Sequence, residues 1–408
     1  MILDIRDYGA VANSGVICTS NIQRAIDLCP ENGTVKIPAG TFVSGALFLK
    51  SNMTLYLEEG ARLVGSSNIS DYPIKGFPYE GLDQLCYSSL INTYAVPNEN
   101  IVIEGKGIID GNGKAIWRDE LENKNAKRGR TACLRNIKNL KISGVIFWNS
   151  PAWCLHIVYC ENVKIEGIEV HSKYDEAGIA YDIFNADGID VDSCQNVSIR
   201  NSLVESEDDC IAIKSGRNEE GRRVGIPSKN IIVDNCRFTS GFGVAIGSEM
   251  SGGVEDVFVR NCKFKNAFSI ASIKAIRGRG NYIRNIHYEN CIIRNFSTEF
   301  GDTQYFRGAI YLDGFYGAKE FDADSVVPVD ESTPIIEDIY FSDLDVETIA
   351  GNAVYLYGLP EQHYRNIYMK NIRAHGKYGM KVKNIDNLKM ENVTVTCDEG
   401  KEIEIEIQ

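Results

Sequence analysis

Short segments in which apolar and polar residues alternate return along the chain at intervals of roughly 20 to 35 residues. They read NLKIS from Asn139, NVKIEG from Asn162, NVSIRN from Asn196, NIIVDN from Asn230 and DVFVRN from Asp256. NIHYEN follows from Asn285, DIYFSD from Asp338, NIYMKN from Asn366 and NLKMEN from Asn387. A period of two makes each a strand with one buried face. Asn, Asp and Gly at the ends bond to nearby backbone and tolerate turn geometry. A lone strand of this kind has nothing to bury its apolar face against. Stacked coils cover one another, with strands about 4.8 Å apart, so the repeat predicts an all-β, single-stranded parallel β-helix forming one domain over residues 1–408. A propeller would need hairpin turns that are too few here, and a leucine-rich repeat would need regular leucines and helical segments.

An open solenoid end exposes a strand edge that must be covered. Residues 1–50 are expected to hold that cap and the first coils. SNIQRAIDLC, Ser20 to Cys29, places Ile22, Ala25, Ile26 and Leu28 at helical spacing behind a cap-type Ser20, which predicts a plugging helix. The closing KEIEIEIQ alternates and is expected to end the last strand with its charges solvated.

Composition, 44% apolar and 24% charged, is that of a chain with a large core. A net charge of -13 argues against a nucleic-acid partner. It would also repel a polyanionic substrate unless local Lys and Arg reverse the sign. No apolar run is long enough to span a bilayer, so no membrane partner is expected. Nothing before Ile2-Leu3-Asp4 reads as a secretory signal, which makes a cytoplasmic site the expectation; a secreted chain whose leader had been removed would read the same. The sequence carries no signal for oligomeric state. Twelve cysteines show neither a disulfide framework nor paired C-x-x-C spacing. Cys160, Cys194, Cys236, Cys262 and Cys291 recur beside the strands, as reduced thiols filling small core positions would.

Three segments carry charge where the repeat otherwise has turn or core residues: NADGID (Asn185 to Asp190), SEDDCIAIKSG (Ser206 to Gly216) and SIKAIRGRG (Ser272 to Gly280). The coils carrying them fall within residues 130–310. Asp187 and Asp208 are 21 residues apart, about one coil, so they should project from one side of successive rungs. Asp208 and Asp209 can share a cleft only where the backbone bends or bulges. Glycosidic hydrolysis needs one carboxylic acid to protonate the leaving oxygen and one carboxylate to activate water, and crowded carboxylates raise one another's pKa. Spacing alone leaves two other readings open: turns made by Asp-Gly and Asp-Asp, and a calcium site.

Here the chain resembles the polygalacturonases, glycoside hydrolase family 28. The resemblance rests on YGAVANS, GTVKIPAGTFVSGALFLKSNMTLYLEEGARLVGS, GIIDGNG, NSPAWCLHIV, NADGIDVDSC, EDDCIAIKSG and IGSEMSGGV, in the family's order. It implies a right-handed β-helix and an inverting hydrolase of pectic oligosaccharides without a cofactor or metal. By motif position Asp208 matches the general acid, Asp187 with Asp209 the pair that activates water, and Asn185 the motif's asparagine. Inversion requires carboxyls about 6.5 to 9.5 Å apart. RRVGIPSKN followed by IGSEMSGGV looks most like the branch that removes terminal sugars.

Three departures bear on substrate binding. Gly241-Phe242-Gly243 stands where the family has Gly-His-Gly, and a phenyl ring cannot donate the hydrogen bond a histidine can. Ser272-Ile273-Lys274 replaces Arg-Ile-Lys, whose arginine forks onto a galacturonate carboxylate; Lys274 remains, with Arg277 and Arg279 close behind. Pro78, in FPYEG, takes the place of an arginine frequent in the terminal-sugar branch. Tyr311, Phe315 and Tyr316 are candidates to stack on a sugar ring. Trp153 and His156 are expected to pack within the structure, and His171, His287, His363 and His375 show no metal spacing. The departures admit two alternatives: a rhamnogalacturonan or neutral-sugar glycosidase, and a non-catalytic carbohydrate-binding β-helix. A calcium-dependent polysaccharide lyase would share the fold.

Overall fold

In the computed structural model, described for residues 1–297 and 304–406, every repeated segment is a strand, and the residue that opens each has a left-handed backbone. Asn139, Asn162 and Asn196 have φ of 64°, 58° and 57°, a region open to asparagine at little cost. Their side chains bond to one another between coils rather than to nearby backbone, as the sequence had suggested. Asn196 Nδ2 donates to Asn162 Oδ1 at 3.1 Å, Asn162 to Asn139 at 3.2 Å and Asn139 to Asn100 at 2.9 Å.

The chain divides into two compact units, Met1–Tyr79 with Asp83–Asp208, and Glu80–Leu82 with Asp209–Gln408. In the first, strands Gly33–Ile37, Met53–Leu57, Asn98–Gly105, Ile137–Ser143, Glu161–Glu166 and Gln195–Arg200 stack in parallel. Val35, Leu55, Ile103, Ile142, Ile165 and Ile199 fall in one register column, all buried. Each such side chain contributes about 1.5–3 kcal/mol by leaving water. Further parallel ladders complete the coil; one runs through Ala132–Arg135, Leu155–Val158 and Ile189–Asp192.

The second unit repeats the plan. Ile231, Val257, Ile286, Ile339, Ile367 and Leu388 form one of its register columns. Another ladder joins Ile211–Lys214, Val244–Ile246, Ala271–Lys274, Gly308–Asp313 and Asn352–Tyr357.

The plugging helix spans Thr19–Leu28, so Ser20 lies inside it and Cys18 occupies the cap position without a side-chain bond to the helix's own N–H groups. Thr19 Oγ1 instead accepts from the Gly45 N–H at 2.7 Å. Ile22, Ala25 and Ile26 are buried, whereas Leu28, expected on the same face, is 57% exposed in the last turn. The helix stops because Pro30 forces Cys29 into an extended conformation. Gln23 meets both backbone groups of Phe48, accepting at 2.9 Å and donating at 3.0 Å, which satisfies part of an open strand edge.

At the other end, strand Ile385–Glu406 pairs on Tyr364–Lys383. The acidic tail is not wholly solvated: Glu406 lies 2.6 Å from Lys383. Its last two residues, 407 and 408, lie outside the described residues. All twelve cysteines are free thiols, eleven of them buried. Among the described residues no helix is long and apolar enough to cross a membrane.

Candidate active site

The first unit supplies a pair of carboxylates on corners, each just ahead of where a strand starts. Asp187 precedes strand Ile189–Asp192. Its carbonyl accepts from the Cys154 N–H at 2.8 Å, and the Leu155 N–H holds the Gly188 carbonyl at 3.0 Å, so the neighbouring coil fixes the corner. Asp208 lies on the bend after strand Leu203–Glu205, where the Ser206 hydroxyl donates to its carbonyl at 2.8 Å. Carboxylate oxygens of Asp187 and Asp208 lie within 4.8 Å of each other, with Asp187 buried and Asp208 partly exposed. Asn185, left-handed at φ 52°, points Nδ2 toward Asp208 Oδ2 at 3.5 Å, a long contact.

The bend removes the need for a strand bulge, because Asp208 and Asp209 both fall outside the strands. It also brings in a carboxyl that the sequence reading passed over. Glu207 Oε2 accepts from the Ala186 N–H at 3.3 Å. Burial, and then the charge of Asp208, push its acid up to about 8, so Glu207 keeps its proton at neutral pH. The run Ser-Glu-Asp-Asp was the available signal, but alternation directs attention to Asp208 rather than its neighbour.

In the second unit Asp209 receives both donations of one ammonium: Lys274 Nζ lies 2.9 and 2.7 Å from its two oxygens, with both side chains buried. Lys274 also sits 4.9 Å from the Tyr316 ring centroid. That ammonium stands where a cation bound by Asp209 would be repelled, which weighs against the calcium reading. One coil back in the same register column, Gly247 has no side chain; a Cβ there would meet the Lys274 carbonyl at 2.2 Å.

Other groups named from the sequence are committed to protein partners. Arg277 forks onto Glu361 at 2.5 and 2.7 Å. Arg279 reaches Ser248 and Asn218 and lies 3.6 Å from Glu249, which also faces Lys214 at 3.2 Å. Burial would raise the Glu249 acid, but Lys214 and Arg279 outweigh it and hold it at about 2. Ser272 is enclosed, donating to the Phe242 carbonyl at 3.1 Å. Phe242 packs with Phe268, Phe306, Tyr311 and Tyr355. Tyr311, expected to stack on a sugar, is fully buried in that cluster, so its faces are already covered; burial also pushes its phenol up. Phe315 is likewise buried and stacked on Phe321, which leaves Tyr316 as the partly exposed ring of the three.

In the first unit Trp153 stacks on Tyr79 at 5.0 Å, and His156 is buried 3.5 Å from Asp192, both packed within the structure. Arg130, just ahead of strand Ala132–Arg135, lies beside Pro78. Its Nη2 donates to the Pro78 carbonyl, and its guanidinium lies 4.7 Å from the Tyr79 ring and 5.5 Å from Trp153.

Parallel coils with a carboxylate pair on neighbouring corners define a parallel β-helix with a candidate acid–base site. The sequence profile of glycosyl hydrolases family 28 matches residues 34–397, and the chain belongs to that family. It is 29% identical to a probable polygalacturonase of Vitis vinifera, over 90% of this chain and 73% of that one. With the exo-poly-alpha-D-galacturonosidase of Dickeya chrysanthemi it shares 28% identity, over 97% and 75%. The fold is similar to that of the family 28 exopolygalacturonase of Yersinia enterocolitica, with a TM-score of 0.81, 22% identity, and coverage of 100% of this chain and 77% of that one. The fold is thus a right-handed parallel β-helix, and the protein is a glycoside hydrolase.

Proposed function

We propose that the protein hydrolyses pectic oligosaccharides from a chain end, releasing galacturonate or a related sugar with inversion. Asp208 serves as the general acid, and Asp187 with Asp209 activates water. The carrying observation is the approach of Asp187 and Asp208 within 4.8 Å, with Asp208 partly exposed, in a family 28 chain. One group can then donate a proton while another accepts one from water. That approach is shorter than the roughly 6.5–9.5 Å of an inverting carboxyl pair. It measures nearest oxygens rather than carboxyl centres, so inversion rests on the motif resemblance. Exo action draws on the names of similar proteins, an exo-poly-alpha-D-galacturonosidase and an exopolygalacturonase.

A neutral or rhamnose-containing terminal sugar is favoured by one observation: Lys274 and Arg277 are each engaged by a carboxylate of the protein. Reducing-sugar release from digalacturonate, rhamnogalacturonan oligomers and aryl glycosides separates the readings. Cleavage of a neutral glycoside with digalacturonate untouched would replace the first by the second. Binding without turnover, unchanged in Asp208→Asn, would leave a carbohydrate-binding protein. Proton NMR of the first product anomer tests inversion.

A further inference from the structure

We propose that a cleft in the second unit is a separate binding site for the uncleaved part of an acidic oligosaccharide, held by Lys319, Lys381, Tyr305 and Tyr378. The proposal rests on the pectic reading only for the choice of uronate as the acidic sugar.

The cleft has a volume of about 830 Å³, which suits an oligosaccharide segment better than a single ion. Among the described residues that line it are three cations and no carboxylate, in a chain whose net charge is -13. One of them, Arg307, is offset by buried Asp313, 2.8 Å away. Lys319 and Lys381 have no carboxylate partner among the described residues, so the wall presents two positive charges. An anion is the complement of such a wall.

Rings specify what kind of anion. Tyr305 is 49% exposed and Tyr378 partly so, with Lys381 Nζ 5.9 Å from the Tyr378 centroid. A flat apolar face next to an ammonium matches a sugar ring bearing a carboxylate. Asn352 adds a demand for hydroxyl donors: 8% exposed, it gives its amide to the Arg307 carbonyl at 2.7 Å, while its Oδ1 has no donor among the described residues. An acceptor left this way costs stability until a ligand or water donates to it. Hydroxyls, a carboxylate and an apolar ring face coincide in a uronic acid.

One ring of the cleft wall touches the ring under Lys274. Tyr305 lies 5.6 Å from Tyr316, whose ring carries the Lys274 ammonium at 4.9 Å.

The test is calorimetric binding of trigalacturonate and of a neutral trisaccharide, maltotriose, to the Asp208→Asn protein. Trigalacturonate is expected to bind with an affinity that falls as salt rises, and maltotriose at least tenfold more weakly. Lys319→Ala with Lys381→Ala should weaken trigalacturonate about tenfold, and Tyr378→Ala should do so independently of salt. Lys319→Arg with Lys381→Arg should restore binding, which separates charge from misfolding. Equal affinity in parent and double alanine variant overturns the proposal, as does equal binding of maltotriose or no binding of trigalacturonate. Hydrolysis by the unsubstituted protein is measured separately: failure to cleave any pectic oligomer, with lysine-dependent binding intact, sinks the proposed function and leaves this site standing.

Discussion

Lys274 and Asp209, 65 residues apart, meet as a buried ion pair in which one ammonium lies 2.9 and 2.7 Å from the two carboxylate oxygens. In the function proposed the aspartate helps to activate water, and the sequence reading offers the lysine for substrate binding. The contact makes them one unit: the lysine neutralises the buried aspartate, and the aspartate fixes where the lysine points.

Removing one partner of such a pair leaves the other charged and buried. Lys274→Met is therefore expected to destabilise the protein by about 3–5 kcal/mol, read as a lower urea midpoint. Asp209→Asn combined with Lys274→Met should recover much of that loss, because both charges of the buried pair leave together. A double variant as unstable as the single would show that the pair is not the unit described.

Asp208 is partly exposed, so its replacement tests chemistry with little disturbance of folding. Asp208→Asn is expected to lower kcat by about 10²–10⁴, the range of general acid–base catalysis, with an unchanged circular dichroism spectrum. A variant with parental kcat would remove Asp208 from the role of acid.

The asparagine ladder separates backbone conformation from side-chain bonding. Asn162 has φ 58°, donates to Asn139 and accepts from Asn196. Asn162→Gly keeps the left-handed backbone and loses only the bonds, whereas Asn162→Ala also carries a left-handed Cβ, a further cost of about 1–2 kcal/mol. The expected order of urea midpoints is parent, glycine, alanine; alanine at or above glycine would place the stabilisation in the side-chain bonds alone.

What the sequence made legible follows from separation along the chain. Alternation of period two and a recurring Asn or Asp are local signals, and they located the repeated strands from Asn139 onward but not Gly33–Ile37, Met53–Leu57 and Asn98–Gly105 of the same column. Asp187 and Asp208 stand one coil apart, a spacing that is itself part of the repeat. Lys274 with Asp209, 65 residues apart, and Arg277 with Glu361, 84 apart, bridge more than one coil, and no periodicity announces which charges will pair. The same limit concealed the enclosure of Ser272, since its neighbours Phe242 and Tyr311 come from other coils. Helix onset went astray for the same reason: Thr19 accepts from the Gly45 N–H, 26 residues away on the bend after strand Gly40–Ser44, which frees the chain from needing Ser20 as a cap.

Glu207 yields a prediction in pH. In the unfolded chain its acid titrates near the ordinary value of about 4.3, while burial beside Asp208 raises it to about 8 in the folded protein. Below the unfolded value both states hold the proton, and Glu207 makes no difference to stability. Between the two values the folded state keeps a proton that the unfolded chain has released, so folding becomes less favourable as pH rises. Above about 8 both forms are ionised and the loss stops growing. Glu207→Gln removes the titration while retaining an acceptor for the Ala186 N–H. Its unfolding midpoint relative to the parent should therefore rise steadily between pH 5 and 8, roughly the window between the two pKa values, and level off beyond it. A midpoint difference that stays flat across that window would mean that Glu207 is ionised in the folded protein and cannot act as a proton reservoir beside Asp208.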